Sequence, residues 1–367
     1  MCSLALGACT SLPRTPYTAA EASTSRVLDI DGLRRYADDP VTKFSFEKDN
    51  STATRSYLAL SGGGADGAYG VGVLNGWTAA RTRPTFSVVS GVSTGGLIAP
   101  FAFLGPQYDD TLREVYTSGI AESLLNDPSI VRVLFGSGLF GNTRLRELVA
   151  RYVGPEIMAQ VAREHAKGRK LLVVTTDLDT QRTVIWDMGK IAAVGTPEAL
   201  KLFRDVMAAS ASIPLVFPPI MIDAEGQGRK FQEMHVDGGA TTQVFLYPSN
   251  APLREAPAFA RRTQRTAWII RNGRTQELSE DVKRGLLPIA ARSISTMITS
   301  NAIGDIYRMY LMTRRDNVDF NLAYISSRFT VPYEKPFDPV YMNALFEFGR
   351  SEIKQQPWLK QPPGYRP

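Results

Sequence analysis

Histidine, cysteine and long apolar runs are scarce in this chain, and each scarcity narrows the range of functions. Of 367 residues, only two are cysteines and two are histidines. Both cysteines, Cys2 and Cys9, lie near the start, so the rest of the chain forms no disulfide and no cysteine-ligated metal site. No run of about 18 apolar residues occurs, which argues against a transmembrane helix.

Dense blocks of basic residues are also missing. The net charge is +6, but the lysines and arginines are scattered and cluster no further than doublets such as residues 261–262 and 314–315. A nucleic-acid partner is therefore not expected, because such partners require concentrated positive charge. A mildly basic surface remains compatible with an anionic membrane.

The first nine residues are mostly small or apolar, as at the end of a secretory signal. Residues 6–9, Leu-Gly-Ala-Cys, resemble a bacterial lipobox, in which Cys9 is lipidated and becomes the mature N-terminus. This apolar part is short and no basic residue precedes it, so we expect the true start upstream. Thr10 at the next position, rather than aspartate, favours an anchor in the outer membrane, facing the periplasm.

The composition along the chain predicts four segments. Residues 1–9 are the remnant of the lipoprotein signal, and residues 10–55 form a polar tether with one short helix around residues 33–36. Residues 56–350 form one catalytic domain with a C-terminal helical extension, and residues 351–367 form a tail.

Within the catalytic domain, short apolar or β-branched runs alternate with stretches of helical spacing. This alternation predicts an α/β fold with a largely parallel sheet. Strands are expected at residues 57–60, 86–90, 170–176, 183–186, 233–236 and 267–270, and a long helix at about residues 286–313.

Residues 91–95, Gly-Val-Ser-Thr-Gly, form a G-x-S-x-G pentapeptide. It lies where a predicted strand gives way to a predicted helix, which is the context that a nucleophile elbow requires. The start of that helix directs backbone N–H groups and a positive dipole end towards the site. Ser93 is therefore a candidate nucleophile.

A second glycine cluster, Gly62, Gly63 and Gly64, follows the first predicted strand. Glycines in this position allow backbone N–H groups to turn towards a developing oxyanion. The spacing to Gly67 also matches the G-x-G-x-x-G dinucleotide fingerprint of an oxidoreductase. That motif requires an acidic residue about twenty positions further on, and none follows Asp66 until residue 109. A purely structural turn is the other alternative.

No histidine is an obvious candidate for the base that would activate Ser93. The Ser–Asp–His order of α/β-hydrolases needs a late histidine, and none follows His235. His165 lies in a charged helical stretch and is expected at the surface. Asp237, followed by two glycines, is a candidate because a carboxylate within about 3 Å of the hydroxyl accepts its proton. The alternative for Asp-Gly-Gly is a simple turn, and His235 is interpreted as structural or as a neighbour that tunes Asp237.

Taken in chain order, the glycine cluster, the G-x-S-x-G pentapeptide and the Asp-Gly-Gly sequence resemble the patatin-like phospholipase family. The similarity covers about residues 55–250, and later helices through about residue 349 resemble an extension of bacterial lipoprotein-type members. Further similar stretches lie at residues 138–145, 176–177 and 209–218.

The resemblance implies a three-layer α/β/α fold and hydrolysis of lipid acyl esters, of phospholipase A, lysophospholipase or carboxylesterase type. It implies that Ser93 is the acyl-forming nucleophile, that Asp237 is the general base, and that Gly62, Gly63 and Gly64 form the oxyanion loop. It implies neither a metal nor an organic cofactor. The expected partners are a lipid or acyl-ester substrate and the membrane surface that holds the lipid anchor.

One position departs from the family pattern. Asp66 stands where many members have arginine or lysine, and a carboxylate there disfavours an anion placed directly beside it. Two other functions also remain open. An acyltransferase would pass the acyl group to an alcohol through the same residues, and a non-catalytic lipid-binding envelope protein would retain only the fold. The intact Ser93 and Asp237 argue against the second.

Overall fold

The structure is a computed structural model that describes residues 14–40, 43, 54–122, 143–214, 216–249, 264–275, 281–355 and 358–366. Cys9, the whole signal remnant and the family-like stretch at residues 138–142 lie outside the described residues.

A nine-stranded sheet forms the centre of the part of the chain that the structure describes. In chain order, its strands are β1 (Arg34–Tyr36), β2 (Arg55–Leu60), β3 (Val88–Val92), β4 (Lys170–Asp177), β5 (Arg182–Asp187), β6 (Ile220–Gly226), β7 (Arg229–Asp237), β8 (Arg265–Arg271) and β9 (Asp319–Tyr324).

Most of the sheet is parallel. The strands β4, β3, β2, β8 and β9 lie side by side in that order and run in one direction. β5 pairs antiparallel with β4 and carries β1 on its other edge, whereas β7 pairs antiparallel with the end of β4 and with β6. The six expected strands are confirmed, with β3 shifted by two residues. The sequence patterns did not indicate β1, β6 or β9.

Helices connect the strands and cover the sheet. They are α1 (Ala19–Ser23), α2 (Gly67–Ala79), α3 (Thr94–Leu104), α4 (Asp109–Thr117), α5 (Thr143–Tyr152), α6 (Pro155–Ala166), α7 (Met188–Val194), α8 (Pro197–Ser210), α9 (Leu286–Arg315) and α10 (Pro339–Glu352).

The central strand β2 shows why the fold has three layers. All six of its residues are buried, as expected for a parallel strand that is covered on both faces. Successive side chains of a strand point to opposite faces. Leu58 and Leu60 accordingly pack in a core with α2, α3 and α8, whereas Tyr57 and Ala59 pack in a second core with α9. The predicted three-layer α/β/α fold with a largely parallel sheet is confirmed.

Residues 14–40, which were expected to belong to a polar tether, pack against this sheet. Leu33 is buried, and the buried guanidinium of Arg34 pairs with Glu233 on β7. The short helix expected around residues 33–36 is wrong, because this segment forms β1 and pairs with β5. The backbone groups on the edge of β5 favour a strand here, and no local sequence pattern reveals such a distant partner.

The C-terminal part of the chain completes the two helical layers. The long helix expected near residues 286–313 is confirmed as α9. α10 packs closely on α2: a side chain at Gly72 would place its Cβ only 2.1 Å from the carbonyl oxygen of Phe346, so glycine is required there. Of the helices in the described ranges, none is both long and apolar enough to cross a bilayer.

Candidate active site

Ser93 occupies a sharp turn between β3 and α3. Its backbone lies at φ 55° and ψ −126°, a conformation that L-residues rarely adopt and that points to a functional constraint. The turn depends on the flanking glycines, since a Cβ at Gly91 would lie 2.2 Å from the carbonyl oxygen of Gly95. The Ser93 N–H donates to the hydroxyl of Ser210 on α8 at 2.9 Å, and this bond ties the turn to α8. The strand–turn–helix predicted at the G-x-S-x-G pentapeptide is therefore present.

The register of the sheet brings Asp237 to the same point. β3 pairs with β4 as far as Val92 opposite Val174, and there β3 ends. β7 takes over the pairing of β4 from the next residue, with Asp237 opposite Thr175. β3 and β7 run in opposite directions along β4, and their C-terminal ends meet there. Ser93, which follows β3, and Asp237, the last residue of β7, both lie at this junction.

The carboxyl group of Asp237 is placed to hold a proton near neutral pH. Burial raises its pKa from 3.8 to about 7, although interactions with the Ser93 hydroxyl and with the N–H of Gly239 favour the charged form. Gly239 donates to Oδ1 at 2.7 Å. Oδ2 is buried and has no full hydrogen bond from the described residues. Among the described residues, this oxygen therefore retains an open acceptor position.

The first glycine of the cluster lies against the serine. A Cβ at Gly62 would be 3.2 Å from the Cβ of Ser93 and 2.7 Å from Oε1 of Gln243, so a side chain there would press on both residues. The three glycines, however, differ in what their backbone offers. The N–H of Gly62 donates to the carbonyl oxygen of Gln243 at 2.9 Å. The N–H groups of Gly63 and Gly64 have no acceptor among the described residues, and Gly64 has a left-handed φ of 55° that glycine favours. Gly63 and Gly64 are the free donors.

Gln243 joins the two halves of this site, and sequence reasoning missed it. Besides accepting from Gly62, it donates through Nε2 to the carbonyl oxygen of Gly239 at 3.0 Å. Its own N–H donates to Oδ2 of Asp305 on α9 at 2.7 Å. The glycine cluster and the Asp-Gly-Gly turn are thereby held to each other and to the second helical layer.

Arg271, the last residue of β8, binds the start of the glycine cluster. Sequence reasoning missed this residue as well. Its Nη1 donates to the carbonyl oxygen of Gly62 at 3.0 Å and approaches the Ser61 hydroxyl at 3.3 Å. Burial lowers its pKa to about 10, and the negative charges of Asp66 and Asp305 oppose that effect. The sequence did offer one signal for Arg271: a charged residue at the carboxyl end of a buried parallel strand. Ligands of parallel sheets bind at that edge.

The charge of Asp66, the residue that departs from the expected pattern, interacts with that of Arg271. Asp66 accepts a hydrogen bond from the Tyr341 hydroxyl at 2.7 Å. Burial raises its pKa, while Tyr341, Arg271 and Arg274 stabilise the charged form. Arg271 on the neighbouring strand β8 is therefore one source of positive charge near the loop.

Neither histidine stands beside Ser93. His165 was expected at the surface, but it is half-buried because its ring lies against Gly189, and its Nδ1 is 3.7 Å from Oδ1 of Asp187. Burial lowers the pKa of His165. His235 is fully buried, and its ring nitrogens contact Thr175 at 3.0 Å and Glu233 at 3.3 Å rather than Asp237. These contacts agree with a structural role for His235.

Comparison with known proteins finds a family that this sequence matches. Residues 58–257, more than half of the chain, match the family model described as patatin-like phospholipase. None of the curated proteins compared with the chain matches it.

Two solved structures are similar at low identity. VipD from Legionella pneumophila is 12% identical with a TM-score of 0.41, and the match covers 83% of this chain and 66% of VipD. The type III effector protein ExoU is 11% identical with a TM-score of 0.29, and the match covers 83% of this chain and 53% of ExoU. The chain thus spans about two thirds of one protein and about half of the other. The family assignment rests on the match over residues 58–257, whose motifs surround the junction of β3 and β7: the chain belongs to the patatin-like phospholipase family.

Proposed function

We propose that this protein is a serine lipid acyl hydrolase in which Ser93 is the nucleophile and Asp237 the general base. The observation that carries the proposal is the junction of β3 and β7, where a strained serine turn meets a buried carboxylate with one unbonded oxygen. Family membership supports lipid acyl hydrolysis in general. Release of free fatty acid from a phospholipid and from a simple ester by the purified protein tests the proposal.

The reaction proceeds in two halves. Asp237 takes the hydroxyl proton as the Ser93 oxygen bonds to the acyl carbonyl carbon, and the N–H groups of Gly63 and Gly64 bind the resulting oxyanion. The carbonyl reforms, the ester C–O bond breaks, and the proton on Asp237 passes to the leaving alcohol. Water then attacks the acyl-enzyme, giving a proton to Asp237, which returns it to Ser93 as the fatty acid leaves.

The activity should rise with pH through about 7 and then level off. Asp237 works as a base only when ionised, and burial raises its pKa to about 7, so protonation removes the base at lower pH. The measurement is kcat/KM for an uncharged ester between about pH 5 and about pH 9. A profile that is flat across this range would contradict the assignment of Asp237.

Arg271→Met should lower kcat by about 10²-fold with little change in KM, because the glycine loop loses the donor that holds the Gly62 carbonyl in place. The substitution also removes one of the two arginine charges that stabilise ionised Asp66, and so should reduce thermal stability. The double variant Arg271→Met/Asp66→Asn removes that imbalance. It should recover stability but not kcat, and full recovery of kcat would contradict a positioning role for Arg271.

Cys9 is, in the same proposal, the lipidated N-terminal residue of a protein in the bacterial cell envelope, anchored to the outer membrane and facing the periplasm. The support is the Leu-Gly-Ala-Cys sequence followed by Thr10. The three acyl chains of a bacterial lipoprotein would anchor the protein firmly and keep Ser93 near an insoluble substrate. Metabolic labelling with a palmitate analogue, with the natural signal restored, should mark wild type and not Cys9→Ser. Label retained by Cys9→Ser would contradict this anchor.

A further inference from the structure

A cavity of about 650 Å³ lies at the carboxyl ends of β8 and β9. This volume falls in the range of about 300–1,000 Å³ that is usual for small-molecule sites. Every residue that lines it follows residue 273, so the cavity lies wholly outside the family-matched segment at residues 58–257. Its walls come from α9, from the segment after β9, from α10 and from the C-terminal tail.

One wall residue of the cavity contacts the segment that follows the glycine cluster. This residue, Tyr341, donates its hydroxyl hydrogen to Asp66 in that segment. The cavity borders the carboxyl ends of β8 and β9, the same edge at which β3 ends in Ser93. Three strand spacings separate β3 from β9, or about 14 Å. A long fatty acyl chain bound at Ser93 spans that distance.

The chemistry of the lining favours an apolar ligand. Its aliphatic wall includes Ile303 and Ile306 of α9 and Val331 of the facing segment. Several of the polar groups that line it are engaged with the protein. The hydroxyl of Tyr307 donates to the carbonyl oxygen of Pro363 at 2.8 Å.

Two more polar groups of the lining form hydrogen bonds within the protein. The hydroxyl of Tyr333 accepts from the N–H of Phe337 at 3.2 Å. Nη2 of Arg274 donates to the carbonyl oxygen of Phe329 at 2.8 Å. These three polar groups are thus bonded to the protein, and the aliphatic and aromatic side chains supply the apolar part of the wall.

We propose that this cavity receives the acyl chain of the ester substrate and sets the chain-length preference of the enzyme. The proposal rests on the proposed hydrolase function and adds a binding site built by the C-terminal part of this chain. A short acyl group held at Ser93 does not reach the cavity, whereas a long one fills it.

Ile303→Trp, which fills the cavity, tests this proposal, and Met297→Trp is the matched control on the exposed part of the same helix. The substrates are acetyl, butyryl, octanoyl and palmitoyl esters of one alcohol. Ile303→Trp should lower kcat/KM for the palmitoyl ester at least about tenfold while leaving the acetyl ester unchanged. Val331→Trp, from the opposite wall, should do the same if Ile303→Trp does not fold.

Binding of a fluorescent long-chain fatty acid to Ser93→Ala protein provides a readout that needs no catalysis. Adding Ile303→Trp should weaken this binding at least about tenfold, and adding Met297→Trp should not. If wild type hydrolyses esters but both filling variants keep its chain-length profile and its fatty-acid affinity, the cavity proposal is overturned. If the filling variants weaken binding although wild type hydrolyses no ester, the cavity binds acyl chains and the proposed hydrolase function fails instead.

Discussion

Replacing Ser93 by alanine should lower the rate of ester hydrolysis by at least about 10⁴-fold, because the acyl-enzyme then has no oxygen on which to form. Binding and the glycine loop remain, so a small residual rate above the uncatalysed reaction is expected. The fold should be kept, because only a hydroxyl is removed and the N–H that Ser93 donates to Ser210 is retained. Initial rates with a short acyl ester, together with a thermal melt, provide the measurement.

Ser87→Ala is the matched control for this change. Ser87 lies just before β3, at the opposite end of the strand from Ser93, so the same chemical change there should leave the rate within about twofold. If Ser93→Ala turns over as fast as Ser87→Ala, Ser93 is not the nucleophile.

Asp237→Asn should lower kcat by about 10³–10⁵-fold, because an amide cannot accept the serine proton. It should not unfold the protein. The folded state raises the pKa of Asp237 from 3.8 to about 7 and thus binds its proton more tightly than the unfolded chain does. The contribution of this group to stability therefore falls as pH rises from about 4 through about 7, and the uncharged asparagine avoids that loss.

His165→Ala is the informative comparison for the base. The described contacts of His165 are with Asp187 and its neighbours, not with Ser93 or Asp237, so kcat should change less than about threefold. If His165→Ala lost most of its kcat while Asp237→Asn kept its kcat, a histidine would be the base. The measurement is kcat for both variants in one assay, with thermal melts to confirm folding.

Local patterns predicted the elements of the site that depend on local backbone. The turn at Ser93 requires small residues on either side and a strand before it, and all of these lie within a few positions of the chain. The same holds for the glycine cluster after β2. Asp237 was predicted from the two glycines that follow it and from the family resemblance, but its elevated pKa depends on burial by distant segments.

Contacts between distant segments were not predictable in the same way. Gln243 and Arg271 each bind Gly62 across about two hundred residues of sequence, and neither lies in a motif. The three glycines look equivalent in the sequence, yet the distant Gln243 occupies the N–H of only one of them. β1 likewise depends on an open strand edge more than a hundred residues away.

Labelling with a fluorophosphonate probe, followed by mass mapping of the modified peptide, tests the central claim most directly. The probe reacts only with an activated serine, and it reports the nucleophile without requiring the natural substrate. The account predicts one modified residue, Ser93, with labelling that is lost in Ser93→Ala, strongly slowed in Asp237→Asn and unchanged in Ser87→Ala. Modification of a different serine, or undiminished labelling of the Ser93→Ala protein, would contradict it.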